Sequence, residues 1–216
     1  MFHVKLGAPA PPAPPMTAAG FQALTGAAPT AIERIEEVLT LLRLWQPRMN
    51  LVGRSTLEDP WRRHVLDSAQ LMAHAGPDAR VWLDIGSGAG FPGLITAIMG
   101  ASEQHLVESN TRKCAFLREA ARVAGIDVHI HNGRAEDIVP IGADVVTARA
   151  VAPLAVLLPL AAWHLAQRGT CLFLKSQEVD TELTEATKYW KLRTTRFASL
   201  TDSGGCILRL EVEGHE

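Results

Sequence analysis

A β-type run, Val81-Trp82-Leu83-Asp84-Ile85, passes directly into Gly86-Ser87-Gly88-Ala89-Gly90-Phe91-Pro92-Gly93. Glycines between a strand and a helix let the backbone turn tightly and approach a ligand closely. Pro92 suits the first turn of the helix that follows, over 93–99. The same alternation then repeats. Strands are expected at 105–108, 128–131, 143–148 and 170–174, with helices over 112–124, 153–165 and 179–189 between them. Strands that alternate with helices pair in parallel through right-handed crossovers. The ending differs, because 193–200 and 206–212 are two β-type runs joined by Thr201-Asp202-Ser203-Gly204-Gly205, a hairpin signal. The expected fold is α/β: a doubly wound, Rossmann-like sheet of seven strands that closes with an antiparallel hairpin.

Ahead of this core the character changes. Ala8 to Pro15 is a low-complexity proline tract, and residues 1–28 are expected to be disordered. Residues 29–216 should form one domain, 29–78 a helical extension and 79–216 the core, since 216 residues suffice for one sizeable core. Thr30 and Glu33 have capping-box spacing, and Ile32, Ile35, Val38, Leu39, Leu42 and Trp45 recur at helical intervals until Pro47, where the helix should stop. A second helix should begin after Asp59, with Pro60 in its first turn. No apolar run reaches the roughly 18–20 residues of a membrane span, and Met1 to Pro15 lacks a signal-peptide core. Cys114, Cys171 and Cys206 lie far apart, which fits reduced thiols rather than a disulfide framework or zinc site. A cytoplasmic location is expected. The net charge of −2 gives no global attraction to nucleic acid, so such a partner needs a local basic face.

Gly88, Gly90 and Gly93 satisfy G-x-G-x-x-G, so a nicotinamide dinucleotide must be weighed, though the match alone is weak. Asp84, two residues before Gly86, would repel a pyrophosphate. The ammonium and sulfonium of S-adenosylmethionine favour an acid there. Glu108 ends the second strand, 22 residues beyond Gly86, where a carboxylate can accept both ribose hydroxyl protons of a nucleoside. A terminal antiparallel hairpin is common in class I methyltransferase domains and absent from ordinary dinucleotide domains. The expected cofactor is therefore S-adenosylmethionine as methyl donor, with a dinucleotide or a ligand-free turn as the rival readings.

Five elements occur in one order: Arg48-Met49-Asn50-Leu51-Val52, His64-Val65-Leu66-Asp67-Ser68, Gly86 to Gly93, Gly133-Arg134-Ala135-Glu136-Asp137, and Arg149-Ala150-Val151-Ala152. Together they resemble the bacterial guanine-N7 methyltransferases of small-subunit ribosomal RNA, the glucose-inhibited division protein B family, from about Ile32 to Val212. The resemblance implies that Gly86 and Phe91 line the methionine and ribose end of the donor. It places Ala135 and Glu136 at the adenine, Arg149 beside the donor, and Arg134 and Lys175 on the RNA side. It also implies 16S rRNA or the small ribosomal subunit as partner, and a monomer without metal. The family usually has Lys-Gly where this chain has Lys175-Ser176, which puts the role of Lys175 in doubt.

The chemistry can be weighed separately. Methylation at C5 of a pyrimidine needs a cysteine nucleophile, but Cys114 falls in a helix and Cys171 inside a strand. Exocyclic amines usually take an Asn/Asp-Pro-Pro-aromatic turn after strand four, where this chain has Ala148-Arg149-Ala150-Val151. Guanine N7 carries a free lone pair, so positioning suffices without a general base. Arg149 is accordingly read as a positioning group, an ion pair with Glu136 or Asp84 being the alternative. Arg112, Lys113, Arg118 and Arg122 share one helix, and with Arg48, Arg54, Arg62, Arg63 and Arg134 they can form a basic rim; a merely solvated face is the bland reading. His64 is read as an anchor of its helix with Asp67 as companion, contact with substrate being the alternative. His129 and His131 are read as a strand-edge pair, no third ligand being evident for a metal. The rival functions are a small-molecule methyltransferase with an enclosed pocket, a non-catalytic RNA-binding module, and a nicotinamide-dependent oxidoreductase.

Overall fold

The computed structural model describes residues 14–176 and 178–215. The expected disorder of the proline-rich start falls, up to residue 13, outside the described residues. Beyond it the chain departs from that expectation, because Ala18–Thr25 form helix α1. Thr17 Oγ1 accepts the Gly20 N–H at 3.0 Å, and Gly26 ends the helix at φ 67°. The anchor is Phe21, fully buried with its ring 5.4 Å from that of Trp61. A single aromatic with a place in the core outweighs a composition that reads as unstructured.

Helix α2 spans Pro29–Met49 and buries Ile35, Val38, Leu39 and Leu42, the stripe its periodicity dictates. Its ends differ from the expectation. Pro29 occupies the first turn after Ala28, so Thr30 caps nothing, and Pro47 lies inside the helix. A proline removes only its own N–H, and the terminus is set instead by Asn50 in the left-handed region at φ 46°. Gln46 secures this exit by accepting the Val52 N–H at 3.1 Å and donating to the Val52 carbonyl at 2.7 Å. The next helical run changes its hydrogen bonding twice, from a π-type turn at Trp61–Leu66 to α3 at Asp67–Ala69 and a 3-10 turn at Gln70–His74.

The sheet has seven strands: β1 Val81–Ile85, β2 Glu103–Glu108, β3 His129–Asn132, β4 Ala143–Arg149, β5 Leu165–Lys175, β6 Trp190–Ala198 and β7 Cys206–His215. Their order is β3-β2-β1-β4-β5-β7-β6, with β7 antiparallel between β5 and β6 and the first five parallel. Helices α4 (Gly93–Ile98) and α5 (Thr111–Ala124) cover one face together with α1, α2 and the 61–74 run. Helices α6 (Leu154–His164) and α7 (Val179–Ala186) cover the other, over Leu83, Val146, Phe173 and Leu208. Strand order reverses between β1 and β4, and in open α/β sheets the carboxyl ends at such a point form the ligand crevice. Among the described residues no helix is long and apolar enough to cross a membrane.

Candidate active site

A cleft of about 660 Å³ opens at this reversal point, and Gly86, Gly88, Phe91, Glu108, Arg149 and Lys175 are among its lining residues. Its floor is the glycine loop. The Gly86 and Ser87 N–H groups both donate to the Val107 carbonyl, at 2.9 and 3.0 Å, which folds the loop back over β2. Gly86 needs φ 69°, and a Cβ there would stand 2.8 Å from a Val151 methyl, so the position takes only glycine without displacement. Glu108 is buried, its two oxygens accepting the Gly88 N–H at 2.9 Å and the Asn110 N–H at 2.7 Å. Each oxygen keeps a second acceptor site, and a vicinal diol is what such a fixed carboxylate can hold. Glu108→Ala is expected to weaken donor binding at least about tenfold, since bonds to a charged acceptor are worth roughly 1.5–3 kcal/mol. Titration with S-adenosylhomocysteine measures this, and an unchanged dissociation constant places the ribose elsewhere.

Four of the expected donor contacts do not line the cleft. Asp84 is 1 % exposed and does not line the cleft. Its oxygens accept the Gly93 N–H at 3.1 Å and the Thr147 hydroxyl at 3.0 Å, so it clamps α4 to β4 behind the loop. Burial raises its pKa to about 7. Gly90, at φ 86°, turns the chain into α4 without lining the cleft. Ala135 and Glu136 follow β3 at the same end of the sheet, yet neither lines the cleft; Ala135 is buried and its carbonyl bonds His164 Nε2 at 2.9 Å.

Arg149 is held by three hydrogen-bond contacts within the site. Nη1 donates to the Arg63 carbonyl at 3.0 Å and reaches Asp67 Oδ2 at 3.3 Å, while Nη2 meets His64 Nδ1 at 3.2 Å. Its partner is thus Asp67, not Glu136 or Asp84. The contacts settle the histidine tautomer. A guanidinium only donates, so Nδ1 accepts and Nε2–H donates to Thr56 Oγ1 at 2.8 Å, whose own hydroxyl donates to the Gly53 carbonyl at 2.6 Å. Burial, with Arg149 and Arg63 alongside, drops the His64 pKa to about 3, so the imidazole is neutral. Its ring stacks on Phe91 at 4.8 Å, and the guanidinium lies 5.3 Å from the same ring's centre. His64 is therefore an anchor, as expected, but one that lines the cleft and holds Arg149.

Ala150, directly after Arg149, sits in the left-handed region at φ 52°, a strain of about 1 kcal/mol for a residue with a Cβ. Lys175 holds this loop. Its Nζ donates to the Ala152 carbonyl at 2.9 Å and to Glu182 at 2.6 Å, and Glu182 also accepts the Leu154 N–H at 2.7 Å. The expectation that Lys175 faces RNA is corrected: with its side chain 10 % exposed, it supports the loop that carries Arg149.

The basic rim is only partly assembled. Arg63, Lys113, Arg149 and Lys175 reach the cleft. Arg112 does not, lining a neighbouring hollow on α5 instead. Arg122 is ten residues along α5, about 15 Å away by helical rise, and its Nε and Nη2 both bond Glu119. Arg134 pairs with Glu136 at 3.4 Å, outside the cleft. At the other sheet edge, His105 enters between His129 and His131, with ring spacings of 4.7 and 5.2 Å. The sequence had no means to place this third histidine or Glu103 beside it. Both His105 nitrogens are engaged, Nε2 with Glu103 and Nδ1 with His131, each at 2.9 Å.

Several cleft residues gave no signal in the sequence. Thr56 orients His64 from a 3-10 turn at Arg54–Glu58. Thr201, in the β6–β7 hairpin, donates to Asp67 Oδ1 at 2.6 Å, and Cys206 at the start of β7 lines the same wall. Their partners lie 8 and 134 positions away, and only tertiary folding brings the second pair together.

The family model described as rRNA small subunit methyltransferase G matches residues 31–205. The protein of that name from Paramagnetospirillum magneticum is 52 % identical over 186 residues, covering 86 % of this chain and 91 % of its own. The one from Rhodospirillum centenum is 50 % identical over 199 residues, covering 92 % of each. In fold the chain is similar to a crystallised SAM-dependent methyltransferase from Aquifex aeolicus, with TM-score 0.55, 16 % identity, and coverage of 73 % of this chain and 95 % of the other. With the family model spanning most of the chain and half-identical relatives along nearly all of it, this protein belongs to the rRNA small subunit methyltransferase G family.

Proposed function

We propose that this enzyme transfers a methyl group from S-adenosylmethionine to N7 of a guanine in the 16S rRNA of the small ribosomal subunit, acting as a cytoplasmic monomer. The observation that carries the reading is one cleft that joins a glycine loop, and the buried Glu108 carboxylate bonded to it from the end of β2, to the cations Arg63, Lys113 and Arg149. The residues fit the donor: Glu108 for the ribose, and for the methionine end the Gly86–Gly88 backbone, where a Cβ at Gly86 would run into Val151. When bound, the donor supplies an electrophilic methyl on a sulfonium.

The remaining work falls to this chain's own groups. The cleft's acid–base candidates are already engaged. Glu108 and Asp67 accept bonds from backbone, arginine and threonine donors, and His64 presents no free nitrogen. Such a site orients and does not take protons, which suits a nitrogen that has a lone pair and none to lose. A small-molecule acceptor would want an enclosed, uncharged pocket, and Arg63, Lys113 and Arg149 at this cleft favour RNA.

Methylation of rRNA should fall steeply with salt, because phosphate neutralisation releases counterions. Arg63→Glu and Lys113→Glu should raise the RNA KM several-fold at unchanged donor affinity, whereas Arg122→Glu, already paired, should not. Mass mapping of nucleosides in the rRNA after incubation with labelled donor identifies the atom. A label at any position other than guanine N7, or equal effects of all three reversals, overturns the reading.

A further inference from the structure

Beside the cleft lies a second hollow of about 460 Å³, lined by Leu44, Trp45, Arg48 and Met49 of α2 and by Arg112 and Ala115 of α5. We propose that it receives one unpaired nucleotide of the rRNA substrate, the base against Trp45, Leu44 and Met49 and a flanking phosphate between Arg48 and Arg112. The inference rests on the rRNA reading above and names a second contact for that substrate.

Four observations support it. The hollow is apolar where a base would lie, and Leu44 is left 72 % exposed on a helix whose other large apolar residues mostly face the core. Trp45 is held rigidly, its ring 5.7 Å from that of buried Phe116 in an edge-on contact, which makes it a preorganised platform. Base–aromatic stacking is tolerant of sequence and strong enough to matter for single-stranded RNA. Among the described residues neither Arg48 nor Arg112 has an ion-pair partner, while Arg62, Arg122, Arg134 and Arg149 do. Two free guanidiniums at the mouth of an apolar hollow match a nucleotide better than an apolar peptide.

The fourth observation is adjacency. Arg112 lines the hollow while Lys113, the next residue, lines the cleft; Met49 and Leu51 divide in the same way. One seam of backbone thus separates the two cavities, and a strand that leaves the cleft on this side crosses it. The first N–H groups of α5 do not serve this phosphate, because Asn110 Oδ1 already accepts those of Arg112 and Lys113, at 2.9 and 3.2 Å. Recognition falls to the side chains.

The test uses the full chain with small-subunit rRNA, supplied both naked and as small subunits, and follows whichever form the wild type methylates. Ala115→Trp fills the hollow from an exposed helical position. It should raise the RNA KM about tenfold with kcat and donor affinity unchanged, the size expected when one base loses its stacking platform. Ala115→Ser, which adds little volume, should behave as wild type and shows that the effect is one of filling. The Arg48→Ala, Arg112→Ala pair should flatten the logarithmic salt dependence by about 0.7 per lost phosphate contact. An unchanged KM in Ala115→Trp overturns the proposal. A raised KM with an undiminished salt slope in the double variant also overturns it, since the occupant is then not a nucleotide. If the wild type methylates no rRNA, the functional reading itself has failed. If it does so with steep salt dependence while Ala115→Trp is neutral, only the hollow has.

Discussion

Arg149→Ala should lower the melting temperature by roughly 6–12 °C and cut methylation by at least about 100-fold. The stability loss comes from three acceptors left behind together: the Arg63 carbonyl, Asp67 and His64 Nδ1. Removing one partner of a buried charged network costs about 3–5 kcal/mol. We take about 3, because the Arg149 side chain is 19 % exposed, and each kcal/mol moves a domain of this size by about 2–4 °C. The rate loss has a separate origin. Arg149 ties the end of β4 to the π-type turn bearing His64, and a displacement of about 1 Å in an oriented transfer can cost 100-fold. Arg149→Lys separates the two. A lysine keeps the charge but lacks the planar fork that meets three acceptors in different directions. The check is single-turnover methylation well below the melting temperature, with donor and RNA saturating. A folded Arg149→Lys enzyme that methylates at the wild-type rate shows the residue to be structural only.

The second large effect concerns pH. The folded pKa of Asp84 is raised to about 7 from 3.8, so the folded state holds an extra proton between these values and stability falls as pH rises through them. For His64 the folded pKa is lowered to about 3 from 6.5, so the unfolded state holds the extra proton and stability rises with pH over that interval. From about pH 4 to 6.5 the two slopes oppose and nearly cancel. Asp84→Asn should remove one of them. An asparagine can accept the Gly93 N–H and donate to Thr147 Oγ1, whose hydroxyl still reaches the Leu83 carbonyl, so the geometry survives. Relative to wild type, the variant should gain stability on the order of 4 kcal/mol between pH 4 and 7, from about 1.4 kcal/mol per pKa unit. Urea melts at three pH values give the difference directly. Parallel curves for the two proteins would show that Asp84 does not carry its proton to neutral pH.

The parts of this fold that were legible from residues alone are those set by short-range pattern. Alternating strands and helices, the turn at Gly86 to Gly93 and the terminal hairpin all follow from periodicity and backbone freedom. The place of Glu108 in the cleft was legible as well, because the end of the second strand opens on the crevice of such a sheet. What stayed hidden depends on contacts between distant segments. Asp84 and Lys175 carry charges at strand ends, as ligand-binding residues do, and nothing local reveals that Gly93, Thr147, Ala152 and Glu182 consume them. Arg122 is the exception, because its partner Glu119 lies three residues back on the same helix, a spacing the sequence already displays. The helix at Ala18–Thr25 was missed because its stability comes from docking Phe21 into the core and not from local helix propensity.

The strand order also bears on how the molecule is made. β6 precedes β7 in the chain, yet it pairs with β7 alone, while β7 pairs with both β5 and β6. During synthesis, β6 therefore emerges before any partner exists, and the outer edge of β5 stays open until Cys206–His215 arrives. Open edges template pairing with other chains, and late long-range strand insertion is where folding domains aggregate. The vulnerable interval is thus the time that separates the synthesis of β6 from that of β7. Charged residues along β6, among them Lys191, Arg193 and Arg196, stand guard on the strand that has to wait.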